Sequence, residues 1–237
     1  MKRSFILLAC VLACTLPGFA QGNILTNGNG SFELPVVPVG GYTVFYPGPG
    51  IPGWTVVGNS GTNVFIGSTT LCDAGPPKVC YPACHGVQWL DLTGAGSNDD
   101  SEVVAQTVAT YAGEYYQLSY CVGNVGIGGP YGTASTVKVY IDATPPFSDT
   151  NSTISTADSS GTYYMVWQQF IHVFQATGPA TTIKFLNGDP PTDGINGLDN
   201  VVLLHLCTSC KPAPKPCATC DPQKPTKDEA ESASCRD

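Results

Sequence analysis

The sequence is poor in charged residues, and basic residues are almost absent from its central part. Only 12% of the 237 residues are Asp, Glu, Lys or Arg. Residues 21–210 contain three lysines, no arginine and 13 carboxylates. Such an acidic surface repels phosphate backbones and anionic lipids, so nucleic acids and membrane surfaces are poor partners. Neutral sugars and divalent cations remain compatible with this charge.

The sequence also lacks the motifs of common enzyme classes. No HExxH or HxH pattern, GxSxG elbow, phosphate loop or dinucleotide fingerprint is present. Asp99, Asp100 and Glu102 are clustered, but neighbours in one flexible loop do not aim two carboxylates at one glycosidic bond; a solvated loop or a calcium-binding loop fits better. The histidines are scattered, which favours structural roles: His85, His172 and His205. These absences predict a protein that binds rather than catalyses.

No apolar run is long enough to cross a bilayer. The stretch Phe5–Leu16 follows Met1-Lys2-Arg3 and spans about 12 residues, against the ~20 that a spanning helix needs. Gly18-Phe19-Ala20 has the small-x-small pattern of a signal-peptidase site. We expect residues 1–20 to be a cleaved signal peptide and the mature protein to be secreted or associated with the cell surface. A lipoprotein cut before Cys14 is the alternative.

Turn-forming residues are abundant, with 27 glycines and 20 prolines. This composition predicts short strands joined by turns rather than helices. We therefore expect residues 21–206 to form one all-β sandwich of about ten strands. The predicted strands are Tyr42–Tyr46, Trp54–Val57, Val64–Ile66, Val87–Leu92, Val103–Val108, Tyr115–Val122, Thr136–Ile141, Tyr163–Phe174, Thr181–Leu186 and Val201–Leu206.

Two of these segments differ in their hydrophobic pattern. Within Thr136–Ile141, Lys138 and Tyr140 alternate with apolar residues, as in a half-buried strand. Tyr163–Phe174 is apolar on both faces. It is either a central strand buried on both sides or a strand with a functional outer face, and periodicity does not separate the two.

Nine cysteines remain after removal of the signal peptide, which is an odd number. In an exported protein this predicts disulfides, with at least one thiol free or joined to another chain. Self-association through that cysteine is thus an open possibility. Cys72, Cys80 and Cys84 bracket a loop rich in Pro and Gly, and we predict a Cys72–Cys80 bond. The others are Cys121, Cys207, Cys210, Cys217, Cys220 and Cys235.

Residues 207–237 form a tail rich in Cys, Pro and Lys, which we expect to be extended and disordered. Its two CxxC pairs, Cys207/Cys210 and Cys217/Cys220, resemble a four-thiolate zinc site, although the spacer of six residues is short. Disulfides among these sulfurs are the favoured interpretation in an oxidising compartment, with metal binding and redox chemistry as alternatives.

Aromatic residues are the candidates for ligand binding, because sugar rings pack their C–H faces on flat side chains. In Val87–Leu92, strand alternation places Trp89 and Asp91 on the face opposite Leu90 and Leu92. If the leucines face the core, Trp89 lies on an outer or concave face beside a carboxylate. Core packing is the alternative for each aromatic residue. Candidates to extend the platform are Trp167, Gln169, Tyr163 and Tyr131.

Seven short motifs occur in a fixed order along the chain: Asn29-Gly30-Ser31-Phe32-Glu33, Ile51-Pro52-Gly53-Trp54, Asp91-Leu92-x-Gly94, Gln106-Thr107, Gly113-x-x-Tyr116-x-Leu118-Ser119-Tyr120, Phe174-x-Ala176 and Gly197-Leu198-Asp199-Asn200-Val201. In this order they resemble the DUF642 family of plants, called choice-of-anchor C in bacteria. The likeness covers about residues 23–206, and the Cys72–Cys84 segment and the Cys-rich tail depart from the family pattern.

The resemblance implies a galactose-binding-like jelly-roll in a secreted or wall-associated protein that binds polysaccharide without catalysis. It also implies a structural calcium between the first turn and the last strand, with Glu33 and Asp199 as side-chain ligands. Alternatively, these carboxylates cap turns through hydrogen bonds to backbone N–H groups.

Three functions follow from these patterns. The leading hypothesis is a non-catalytic module that binds a cell-wall or surface glycan. The alternative is a structural or matrix protein cross-linked through its cysteine-rich tail. A glycan hydrolase is the third, and it lacks a carboxylate pair that spacing can support.

Overall fold

The computed structural model describes residues 22–25, 28–96 and 103–206. The expectations for the signal peptide, for the acidic loop at Asp99, Asp100 and Glu102, and for the tail cysteines lie outside these residues. No helix among the described residues has the length and apolarity needed to cross a bilayer.

The described residues form strands and a short 3-10 helix at Gly129–Tyr131. The strands are β1 Tyr42–Phe45, β2 Gly48–Ile51, β3 Trp54–Val57, β4 Val64–Ser68, β5 Cys72–Asp73, β6 Lys78–Cys80, β7 Gln88–Asp91, β8 Val103–Ala109, β9 Tyr115–Asn124, β10 Ser135–Ile141, β11 Phe147–Asn151, β12 Thr162–Tyr164, β13 Val166–Gln175, β14 Ala180–Asn187 and β15 Gly197–Leu206.

The strands form two large sheets and one small sheet. The first sheet has the order β1-β4-β7-β15-β9-β13, and the second has the order β11-β10-β14-β8-β3-β2. Both are antiparallel in every pairing. The third sheet, β12-β6-β5, joins β12 to β6 in parallel. The predicted all-β jelly-roll sandwich is therefore confirmed.

The main core lies between the two large sheets. Trp54 and Tyr120 both pack edge-on against Phe185, with ring centroids 5.9 and 5.0 Å away, and so join β3, β9 and β14. All three side chains are buried. Apolar residues at alternate positions of facing strands supply this core, as expected for a sandwich.

The structure tests the predictions made for the two segments with distinct hydrophobic patterns. Thr136–Ile141 lies in β10, where residues alternate between buried and half-buried, so the prediction of a half-buried strand is confirmed. Tyr163–Phe174 is divided between β12 and β13, and β13 is an edge strand of the first sheet. The alternative of a central strand is thus wrong: Ile171 and Val173 on β13 are more than half exposed.

The segment between β4 and β7 forms a small lobe over the first sheet. It contributes β5 and β6 to the third sheet, and a disulfide joins Cys72 to Cys80, as predicted. A second disulfide joins Cys84 to Cys121 on β9. The lobe is thus held to the large sheet by covalent and hydrogen bonds.

Candidate functional site

The structure corrects the predicted position of Trp89 and Asp91. Alternation along β7 is as expected, because Leu90 belongs to the main core and Trp89 to a second cluster on the other face of the sheet. However, Trp89 and Asp91 are both 0% exposed. The expectation that Trp89 lies on an open face is therefore wrong.

The lobe between β4 and β7 buries Trp89. The indole packs against Tyr81 of the lobe at 5.7 Å and against Phe65 of β4 at 5.6 Å between ring centroids. It also lies close over Gly67, where a Cβ atom would stand 3.0 Å from the ring. Alternation predicts the direction of a side chain but not what covers it.

Trp167 and Tyr131 belong to the same cluster and are half-buried. The Trp167 Nε1–H donates to the carbonyl of Pro82 at 2.7 Å, which ties β13 to the lobe. Its ring lies over Gly123 and Gly197, which face each other across β9 and β15. Any side chain at either glycine would displace the indole.

The remaining predicted residues lie at the edge of this cluster. Tyr163 packs against it as well. The Tyr131 hydroxyl donates to Asp73 at 3.2 Å. Gln169 lies on the same face of β13 as Trp167 and is exposed. The predicted platform thus converges in space, but most of its aromatic area is used for packing.

Asp91 has a structural role in the hydrogen-bond network at the end of β7. Its Oδ1 accepts hydrogen bonds from the N–H and hydroxyl of Thr93, at 2.8 and 2.9 Å, and from the N–H of Asn196 at 3.1 Å. A buried carboxylate held by three donors is positioned to shape a loop rather than to contact a sugar.

We expect Trp89→Ala to lower the free energy of unfolding by about 3–5 kcal/mol, because it removes a fully buried indole. Urea denaturation of the two proteins measures this difference. Gln169→Ala is the matched control on the same face and should change stability by less than about 0.5 kcal/mol. Equal stability of Trp89→Ala and the parent protein would contradict this packing.

The three histidines make contacts typical of structural residues. His172 pairs with Asp149 at 2.5 Å, and His205 pairs with Glu114 at 3.3 Å. His85 shares a hydrogen bond with the hydroxyl of Ser31 at 3.1 Å.

Glu33 and Asp199 lie on either side of one loop. Glu33 Oε1 accepts hydrogen bonds from the N–H groups of Val87 and Gln88, at 2.9 and 3.2 Å. Asp199 Oδ2 accepts one from the N–H of His85 at 2.9 Å. These are the backbone caps that the alternative interpretation of the two carboxylates predicts.

The same carboxylates also have chemistry suited to calcium. Burial raises the pKa of Asp199 to about 7, and the charge of Glu33 adds to this effect. Two carboxylates that repel each other are hard-oxygen donors of the kind calcium prefers. No three Asp, Glu, His or Cys side chains in the described ranges are placed to ligate one ion, so main-chain oxygens or water would complete the shell.

The raised pKa of Asp199 predicts how stability depends on pH in the presence of EDTA. Because the folded pKa exceeds the ordinary value of 3.8, Asp199 contributes most below about pH 4, and this contribution is lost as the pH rises to about 7. The loss is at most about 1.4 kcal/mol per pH unit.

We therefore expect Asp199→Asn to show a shallower decline in stability across this range than the parent protein. Chemical denaturation at a series of pH values measures the two slopes. Asp158→Asn serves as the control, because the pKa of this exposed carboxyl is lowered to about 2 and the group titrates mainly below this range; the variant should keep the parent slope above about pH 5. If stability fell equally steeply with pH in Asp199→Asn and in the parent protein, the raised pKa of Asp199 would be refuted.

The outer face of the second sheet is open and was not predicted as a site. Direct cross-strand pairing places Thr55, Ala105, Lys184 and Tyr140 in one row. Thr55 and Lys184 are exposed, and Tyr140 and Ala105 are half-buried. From β3 to β10, the row thus presents a hydroxyl group, a small methyl side chain, an ammonium group and an aromatic ring.

Two shallow hollows follow this row. One has a volume of about 430 Å³ and is lined by Thr55, Ala105 and Thr107, among others. The other has a volume of about 220 Å³ and is lined by Tyr140, Lys184, Leu186 and Val103. Since Ala105 is paired with Lys184, the hollows adjoin each other across β8 and β14.

Sequence reasoning contained a signal for this face. The alternation in β10 already places Lys138 and Tyr140 outward. Two of the three lysines of the sandwich, Lys138 and Lys184, occur here. What the sequence did not reveal is that this face stays open whereas the Trp89 face is covered.

No family model and no curated protein matches this chain. Among solved structures it is similar to the Podospora anserina GH26-CBM35 β-(1,4)-mannanase, with 11% identity and a TM-score of 0.40 over 74% of this chain. The chain spans only 29% of the length of that mannanase.

Two smaller structures are also similar. The CBM22-1 xylan-binding domain from Paenibacillus barcinonensis gives 14% identity and a TM-score of 0.35, over 64% of this chain and 85% of that domain. A family 35 carbohydrate-binding module from Clostridium thermocellum gives 10% identity and a TM-score of 0.38, over 69% of this chain and 97% of that module. At these values the likenesses carry no conclusion about what this chain binds.

Proposed function

We propose that this protein is a non-catalytic, extracellular carbohydrate-binding module whose glycan lies across the outer face of the second sheet. The observation that carries the proposal is the open row of Thr55, Ala105, Lys184 and Tyr140 above two adjoining hollows. Its groups match those that a sugar needs: an aromatic ring for C–H faces and polar groups for hydroxyls.

The neighbouring rows extend this surface with hydroxyl groups. Thr107 and Thr182 form a hydrogen-bonded pair at 2.8 Å on one side of the row. Thr136 and Thr150 form another pair at 2.9 Å, two rows away on the other side. A sugar chain lying along the row would thus have the hydroxyls of Thr107 and Thr182 beside it.

Three carboxylates of the sandwich are too deeply buried to act in hydrolysis. A glycosidase needs two carboxylates that reach the scissile bond from solvent. Asp91 is 0% exposed, and Asp189 and Asp193 are 4% and 8% exposed. A polysaccharide cannot reach them in this conformation, and the row on the second sheet contains no carboxylate.

A structural calcium held by Glu33 and Asp199 is part of the proposal. The ion would neutralise two carboxylates that otherwise repel each other, and it would join the first turn to the last strand. The backbone bond from the Val201 N–H to the Gly30 carbonyl, 2.9 Å, already links the same two segments. The calcium would thus stabilise the fold without touching the glycan.

A glycan array followed by calorimetry with the selected glycan tests the binding face. We expect Tyr140→Ala to weaken binding at least tenfold, which corresponds to ~1.4 kcal/mol, because the ring loses its stacking contact. Lys184→Ala should weaken it less, since an exposed ammonium contributes little alone.

Tyr115→Ala is the matched control, because Tyr115 is an exposed tyrosine on the first sheet. Its affinity should equal that of the parent protein. Loss of binding in Gln169→Ala with full binding in Tyr140→Ala would move the site to the edge of the Trp89 cluster. Absence of binding to every glycan, with an intact fold, would reject the proposed function.

A further inference from the structure

A second group of acidic residues lies at the end of the sandwich where β14 connects to β15. We define the Asp189 cluster as Asp91, Asn187, Asp189, Asp193 and Asn196. Each of the five is at most 8% exposed. The cluster shares no residue with Glu33 and Asp199 or with the proposed glycan face.

Hydrogen bonds bring Asp189 and Asn196 together. Asn187 Oδ1 accepts from the Asn196 Nδ2 at 2.8 Å and from the Asp189 N–H at 3.1 Å. Both side chains also bond to one residue of β10: Asp189 Oδ1 accepts from the Thr136 N–H at 2.5 Å, and Asn196 Nδ2 donates to the Thr136 carbonyl at 2.7 Å. The two side chains are therefore held against the same point of the sheet.

Each of these two side chains has a buried oxygen without a hydrogen-bond partner. Asp189 Oδ2 and Asn196 Oδ1 are inaccessible to solvent, and neither has a partner at hydrogen-bond geometry. The nearby side chain of Ser135 lowers the pKa of Asp189 only in part against burial. Leaving such an oxygen buried and unsatisfied costs about 1–3 kcal/mol, and more for a charged group. Two such unsatisfied oxygens in one cluster indicate that an electropositive partner is missing.

No basic side chain supplies that partner. The sandwich has no arginine, and its ion pairs in the described ranges are the two histidine pairs, His172–Asp149 and His205–Glu114. The charges of Asp193 and Asp91 act on Asp189 and, after burial, help to raise its pKa to about 8. Unless a cation is bound, burial and this repulsion therefore favour the protonated form of Asp189 over its charged form.

We propose that the Asp189 cluster is a binding site for a hard divalent cation, with calcium as the ion that fits its oxygen donors. Asp189 Oδ2 and Asn196 Oδ1 would be its side-chain ligands. Asp91 and Asp193 would contribute attractive charge.

The composition of the site agrees with calcium chemistry. Calcium accepts carboxylate, amide and main-chain oxygens and takes six to eight of them. Because no three Asp, Glu, His or Cys side chains converge in the described ranges, main-chain carbonyls and water would supply the other ligands. A softer metal would require nitrogen or sulfur ligands, which the cluster does not contain.

A proton on Asp189 is the competing partner. A carboxylic acid O–H could donate to Asn196 Oδ1 and satisfy both oxygens without a metal. If the cluster binds a cation, calcium titration should detect a site there; if Asp189 is protonated instead, it should not. Calcium titration therefore distinguishes the two.

The test uses the mature chain, without residues 1–20, after removal of metals with EDTA. Calcium is titrated by calorimetry into the parent protein, Asp189→Asn and the Glu33→Gln/Asp199→Asn double variant. We expect the double variant to keep one calcium site, and Asp189→Asn to lose that site or bind at least about tenfold more weakly. Asp158→Asn is the matched control and should bind like the parent.

A second variant tests the site in case Asp189→Asn does not fold. Asp193→Asn keeps the side-chain shape and should weaken calcium binding several-fold through its charge, while circular dichroism confirms the folded sheet. Calcium bound equally well by Asp189→Asn and the parent would overturn the proposal. So would the absence of any calcium site in a folded Glu33→Gln/Asp199→Asn variant, which would assign a proton to Asp189. Glycan binding is measured on another face, so its failure leaves this test unaffected.

Discussion

The rest of the structure depends on the position of β15, the last described strand, in the middle of the first sheet. It pairs with β7 on one side and β9 on the other. Asn23 fastens the start of the described chain to it, donating to the Val201 carbonyl at 3.0 Å and accepting from the Leu203 N–H at 2.9 Å. Gly197 makes room for Trp167, and Asp199 holds the loop at His85. The loop that leads into β15 carries Asp189 and Asn196. Both candidate cation sites therefore depend on β15: Asp199 lies on the strand itself, and Asp189 and Asn196 lie in the loop that precedes it.

The fold could be predicted well from the sequence because periodicity reports local geometry. All ten predicted strands lie on observed strands, and the Cys72–Cys80 bond follows from two cysteines in one short loop. The short strands β2, β5, β6 and β11 were missed, since segments of two to five residues are too short to show a clear period.

The candidate site was harder to predict than the fold. Alternation gave the correct side of the sheet for Trp89, but its burial depends on how the lobe between β4 and β7 folds back over that side, so the predicted exposure was wrong. The same pattern placed Tyr140 outward without showing that its face stays uncovered. The pairing of Asp189 with Asn196 through Asn187 and Thr136 also depends on the tertiary fold, which sequence spacing does not reveal.

The scarcity of basic residues shapes how this protein buries carboxylates. Where arginine would ordinarily neutralise a buried acid, the chain uses backbone N–H groups, as at Glu33 and Asp199. Such donors compensate a charge only in part, which is why the pKa of Asp199 and of Asp189 stays above its usual range.

The central position of β15 also sets the order of events during synthesis. The ribosome releases residues 197–206 after every other strand of the first sheet, yet this strand lies between β7 and β9. The first sheet therefore cannot close until translation has passed Leu206. Until then the growing chain lacks the strand that joins β7 to β9, so the first sheet is incomplete.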